Sequence, residues 1–179
     1  MMKDFPGSVL HTHSSENKKE VEIVRSKTGM ENIEYFESLG LFSGQTVLAH
    51  CIHVNHHEMN IMKENAVCVS HCPSSNLKLA SGTANIPAYI SNGITVSLGA
   101  DGAPCNNRLS VFKEMHLAAL IQKPLHGPTI MDAKTVFGLG TINGAKALGI
   151  EKQTGSIEPG KKADLILLNL EKNGFALSD

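Results

Sequence analysis

Four times along this chain a short apolar run leads into a polar turn and then a helical stretch, and that repeat sharply limits the fold. The runs are residues 8–13, 46–50, 66–71 and 94–99. Each is largely apolar throughout rather than alternating, the habit of strands buried on both faces of a parallel sheet. Parallel strands need a crossover between them, and the intervening segments have helical character. Helices are expected over 16–27, 29–39, 55–64, 86–91, 110–121 and 135–148, with Gly40 suited to end the second. Pro73 is expected to stop the third strand and open a Gly/Ser/Asn/Lys-rich loop. Beyond this the character changes: 155–162 reads as a turn-rich link and 163–168 as a strand opening a second, β-type element. The fold class expected is therefore α/β.

Composition excludes several classes of function. A formal net charge of −1 offers no basic surface for nucleic acid or an anionic membrane. Aromatic residues are only 4% and Trp is absent, so a base-stacking platform is not expected. No apolar run approaches the ~18–20 residues of a membrane span. The beginning of the chain lacks the apolar core of a signal peptide. The four cysteines (Cys51, Cys68, Cys72, Cys105) form no CxxC pair, which reads as reduced thiols in a cytoplasmic protein. A small molecule is the expected partner.

In parallel βα folds the reacting groups sit where strands end. His11 and His13 alternate on one strand and share a face. Glu16 follows three residues after His13, His50 closes the second strand and Asp101 follows the fourth. Imidazole and carboxylate donors of this kind bind Zn²⁺ or Fe²⁺ and leave a position for water. Metal-activated water attacks an electron-poor carbon, and a carboxylate such as Glu16 moves protons. Taken singly these residues have blander readings: a strand-end His is usually packed or solvated, and Asp101-Gly102 is an ordinary turn pair. His53, His56 and His57 read as solvated, and His116 and His126 as structural or exposed. The combination on three strand ends carries the argument.

With these residues in hand the chain resembles the amidohydrolase superfamily. The branch is that of guanine deaminase, S-adenosylhomocysteine/methylthioadenosine deaminase and the triazine chlorohydrolases. Leu10-His11-Thr12-His13-Ser14-Ser15-Glu16 resembles the fifth-strand motif, in which the second His binds metal and the Glu relays protons. Leu48-Ala49-His50-Cys51-Ile52-His53 is similar to the sixth-strand motif, whose first His contacts substrate or attacking water. The segment from Ser70 to Gly82 resembles the pocket-lining stretch after strand seven. Leu98-Gly99-Ala100-Asp101-Gly102 resembles the eighth-strand motif, whose Asp binds metal and acts as base. Gly155 to Leu165 is similar to the return of the chain to a small β-sandwich.

The resemblance implies strands five to eight of a (β/α)8 TIM barrel, with 1–150 as a partial barrel and 151–179 as the start of the sandwich. A whole barrel takes ~250 residues, so the chain reads as a C-terminal fragment without the first-strand HxH ligands. The implied chemistry is hydrolysis of a C–N or C–Cl bond on a nitrogen heteroaromatic ring. His13 and Asp101 would hold one divalent metal, Zn²⁺ ahead of Fe²⁺. Glu16, His50 and Asp101 would be catalytic, and His50, Ser75 and Asn76 would face the substrate. Asn106 and Asn107 would shape the same mouth.

Other readings stand beside this one. A nucleophilic cysteine is a poorer rival, because Cys51 and Cys72 adjoin histidines that alternate to the opposite face. An inactive remnant or interaction subunit would expose open sheet edges and self-associate or pair with the missing half. A small metal module would draw four ligands from His11, His13, His50 and Asp101. The identity of the heterocycle is not legible.

Overall fold

The computed structural model describes residue 5 and residues 7–169. Four parallel strands, β1 (Val9–Ser14), β2 (Gln45–His50), β3 (Cys68–His71) and β4 (Val96–Leu98), form one sheet in sequence order. All four sequence-expected strands are present: the first is shifted by one residue, the second starts one residue earlier, the third starts two residues later, and the fourth is trimmed at both ends. The register sets Leu48 beside Val69 and Val69 beside Val96. These three fully buried side chains make an apolar stripe on which the helices pack.

Helices α1 (Lys18–Thr28) and α2 (Asn32–Ser38) join β1 to β2, and α3 (His56–Glu64) joins β2 to β3. The first begins at Lys18 rather than Glu16, because Asn17 caps it by accepting from the Glu20 N–H. Gly29 ends it in the left-handed conformation (φ 74°), where a Cβ would be strained. Asn55 and Glu58 cap α3 reciprocally. Buried Glu58 also accepts from the Ile33 N–H and so ties α3 to α2. Between β3 and β4 lie α4 (Pro73–Lys78) and α5 (Ile86–Ser91). After β4 come α6 (Val111–Ile121), α7 (Lys123–His126), α8 (Ala133–Leu139) and α9 (Ile142–Ala147).

The core unites the sheet stripe with Ile33 of α2, Ile61 and Met62 of α3, Ile86 and Tyr89 of α5, Ala118 of α6 and Leu139 of α8. On the opposite sheet face Val47 and Cys68 form a smaller cluster with Ala147 of α9.

Three expectations need correcting. The segment after Pro73 is helical, since a proline that cannot continue a strand is well suited to a first helical turn. The single helix expected over 135–148 is two, broken at Gly140 and Thr141. The strand expected over 163–168 is not formed: no described strand pairs with it, and Leu167 is fully exposed. The remainder of 151–179, from 170 onward, lies outside the described residues.

Candidate metal centre

The C-terminal ends of β1, β2 and β4 bring His13, His50 and Asp101 together. One ligand atom from each lies within 4.8 Å of the other two. The His13 and His50 rings meet edge to face, with centroids 4.9 Å apart. Glu16 joins from the loop after β1, its Oε2 3.9 Å from His50 Nε2. His11 shares the exposed strand face of His13 but does not belong to this group, so a four-ligand module with His11 gains no support.

The backbone at these ends is bent in a costly way. Ser15 (φ 51°), His50 (φ 71°), Cys51 (φ 46°) and Asp101 (φ 59°) all adopt positive φ without being glycine. Such residues cost ~1–3 kcal/mol each and persist only where surrounding contacts hold them. Here the contacts are identifiable. Ser15 O accepts from the Ile52 and His53 N–H groups, and Cys51 N–H donates to Ser14 O, which locks the loops after β1 and β2 together. Glu20 accepts from the N–H groups of Ser15 and Glu16 and from Asn32 Nδ2. Ser81 Oγ donates to Glu16 Oε1, while Ser81 O accepts from His53 Nε2.

Ser75 and Asn76 sit behind the centre on α4, and both are buried. Ser75 Oγ donates to Asp101 Oδ2 at 2.5 Å. Asn76 Oδ1 accepts from His50 Nδ1–H at 2.7 Å. With Nδ1 donating, the lone pair of His50 Nε2 is free, and this buried nitrogen has no hydrogen-bond partner among the described residues. An orphaned imidazole nitrogen beside a second imidazole and a carboxylate fits a borderline-soft divalent cation. Burial alone would raise the Asp101 pKa. The Ser75 hydroxyl, the Gly102 N–H and the His50 and His13 imidazoles outweigh it and hold the carboxyl below its ordinary value.

Reading the sequence alone overlooked several of these residues. Glu114 of α6 is fully buried and accepts from Ser74 N–H, Ser74 Oγ and Asn106 Nδ2. Asn106 is buried with it, whereas Asn107 is exposed and bonds Lys78 Nζ. His71, also fully buried, has no hydrogen-bond partner for either nitrogen among the described residues, and burial, helped by His50, pushes its pKa down to about 3. His53 is half-buried rather than solvated, while His56, His57, His116 and His126 are exposed. Cys51 and Cys72 are buried; burial drives the Cys51 thiol far up and Cys72 to about 12, the wrong direction for a nucleophile.

Known proteins share this arrangement of sequence and fold. The chain is 45% identical over 164 residues to a 5-methylthioadenosine/S-adenosylhomocysteine deaminase of Acetivibrio thermocellus, which is 91% of this chain and 38% of that protein. It is 44% identical over 165 residues to a 5'-deoxyadenosine deaminase of Methanothermobacter thermautotrophicus, covering 92% of this chain and 38% of that one. The crystal structure of an adenosine deaminase from Xanthomonas campestris with bound zinc superposes with a TM-score of 0.87. It is 34% identical, over 92% of this chain and 38% of the other. The chain thus spans about 38% of the length of the curated relatives it matches. The amidohydrolase family model matches residues 2–178. A match running along nearly the whole sequence settles the lineage that the strand-end histidines suggested: this chain belongs to the amidohydrolase family.

Proposed function

We propose that this chain supplies part of the metal centre and the proton-transfer groups of a hydrolytic deaminase acting on an adenine-type nucleoside. The observation that carries this reading is the convergence of His13, His50 and Asp101 at three adjoining strand ends, with Glu16 beside them. The deaminases it resembles support the choice of C–N over C–Cl cleavage and of a purine nucleoside as substrate. The order of the strand-end residues, His13 with Glu16, then His50, then Asp101, on four parallel strands in sequence order supports the assignment to strands five to eight of a (β/α)8 barrel. In that reading 1–150 is the partial barrel and 151–179 begins a second β-type unit. On the same reading further metal ligands and the first four strands lie outside residues 1–179, and the open sheet edges pair with that half or with a second copy. The compartment we assign is the cytoplasm.

His13 and Asp101 would hold the cation, Zn²⁺ ahead of Fe²⁺, with His50 Nε2 turned toward the same point. A divalent cation held there would supply the Lewis acidity that activates water near neutral pH. Asp101, kept ionised by Ser75 and Gly102, takes the first proton from the attacking water. Glu16, steadied by Ser81, gives its proton to the ring nitrogen and makes the adjacent carbon more electrophilic. His50 accepts a hydrogen bond from the attacking O–H. As the exocyclic C–N bond breaks, Asp101 passes its proton to the amine, which leaves as ammonia. The remaining hydroxyl proton returns to Glu16, and the ring carbon keeps the oxygen as a carbonyl. Ser75 and Asn76 act through Asp101 and His50, which their hydrogen bonds already orient.

A chimera tests the proposal. The matched segment of the Acetivibrio thermocellus deaminase is replaced by this chain, and ammonia release from methylthioadenosine and S-adenosylhomocysteine is measured. Turnover that falls at least 10³-fold in Glu16→Gln and Asp101→Asn variants is the expected result, the scale of a lost acid–base group. A folded, zinc-loaded chimera that releases no ammonia, or variants with full activity, would contradict it.

A further inference from the structure

Among the described residues, Glu114 is the most deeply buried acid that the chemistry above does not use. Its side chain is fully enclosed in the first turn of α6. A carboxylate is costly to bury unless donors surround it. Here Oε1 accepts from Ser74 Oγ at 2.6 Å and Asn106 Nδ2 at 2.8 Å, and Oε2 accepts from Ser74 N–H at 3.0 Å. Charge-assisted bonds of this kind are short and hold their partners firmly.

The donors come from the start of α4, which backs the metal centre, and from the loop after β4, which carries Asp101. Ser74 lies at the start of α4, and the next two residues are Ser75, bonded to Asp101, and Asn76, bonded to His50. Asn106 donates a second amide hydrogen to Ala100 O, one residue before Asp101. Its own carbonyl oxygen accepts from the Arg108 and Leu109 N–H groups and closes that loop. A single carboxylate therefore joins the start of α4 to the loop after β4. Among the described residues neither segment has another such hydrogen-bonded tie to α6.

We propose that Glu114 is a positioning residue of the metal centre: it sets the placement of Asp101 against His50 and thereby the affinity of the centre for a divalent cation. The inference rests on reading His13, His50 and Asp101 as that centre. A purely structural Glu114 would lower stability when replaced but leave cation affinity and coordination unchanged.

The probe is Co²⁺, titrated into the full chain and followed by its visible absorption. Glu114→Gln keeps the shape but turns one acceptor into an NH₂ group facing donors. The expected result is a loss of Co²⁺ affinity of about tenfold or more, the size seen when groups behind metal ligands are removed, with a shifted absorption band. Asn106→Ala should act in the same direction. The double variant should lose less than the two single losses combined, because both residues belong to one chain of contacts. Folded variants with wild-type affinity and band would overturn the proposal, and Asn106→Ala decides it if Glu114→Gln does not fold. Failure of the wild-type chain to take up Co²⁺ would instead overturn the metal-centre reading. Amide hydrogen exchange then judges the tie alone. Glu114→Gln must release residues 72–79 and 100–109 together while residues 9–28 stay protected; unchanged exchange in those segments rejects it.

Discussion

His50 and His71 close adjacent strands and are both fully buried, yet among the described residues only His50 finds a hydrogen-bond partner. The difference sets how acid acts on the molecule. His71 is neutral when folded, its pKa pushed from 6.5 to about 3 by burial and the neighbouring His50. The unfolded chain binds a proton near 6.5, so the stability that the neutral ring contributes is fully present above that pH. It is lost as pH falls from 6.5 toward 3, by up to about 1.4 kcal/mol per pH unit. Urea unfolding at pH 7 and pH 5 should show this slope, and His71→Gln should flatten it while lowering stability at pH 7. An unchanged slope would mean His71 is not buried as described. The thiols make a second residue-scale prediction. Cys51, Cys68 and Cys72 are buried and their pKa values raised, whereas Cys105 is partly open. Native protein should therefore react quickly with a thiol reagent at Cys105 alone, and at all four cysteines after denaturation. At this scale His13, Glu16, His50 and Asp101 were legible because polar residues at the ends of apolar runs stand out. Glu114 was not, because a glutamate in a helix usually faces water. The available signal was its position beside Met115 and four residues before buried Ala118, on the stripe that packs inward. Ser75 and Asn76 were noticed but aimed at substrate, since a loop there gave no reason to turn them toward Asp101 and His50.

The elements follow the same division. Strand positions could be read because buried parallel strands are short apolar runs. The helices with caps, such as α1 at Asn17 and α3 at Asn55, fell within a few residues of expectation. Where the reading failed, local sequence signals were ambiguous or a tertiary partner was needed. Pro73 ends a strand and starts a helix with the same ring geometry. The strand expected over 163–168 needs a neighbour that the described residues do not provide. Strand β4 illustrates how an element positions chemistry. Just past its end, a Cβ on Gly99 would lie 2.4 Å from Ser70 Oγ and 2.9 Å from Cys72 Sγ. Gly99→Ala should therefore push the chain off β3 two residues before Asp101. A destabilisation of about 1–3 kcal/mol is expected from overpacking, read by chemical denaturation, together with weaker metal binding. A neutral substitution would mean that the β3–β4 approach is looser than described.

For the molecule as a whole, the sheet order leaves β1 and β4 as edges within the described residues, and β1 carries the open face with His11 and His13. Unpaired parallel edges favour association, and Phe137, Leu148 and Ile157 add exposed apolar surface near the end of the described chain. Sedimentation velocity at rising concentration should show self-association; a monodisperse monomer throughout would contradict it. The central claim, however, concerns the point where three strand ends meet. Its most direct test is calorimetric titration of Zn²⁺ into the metal-free chimera that carries this chain, where the remaining ligands are present. The same titration is made into its His13→Ala and Asp101→Ala variants, the unsubstituted chimera serving as wild type. The account predicts stoichiometric binding to the wild type that both substitutions abolish, with each variant still folded by circular dichroism. Zinc retained by both variants at wild-type affinity, or none bound by the wild type, would contradict it.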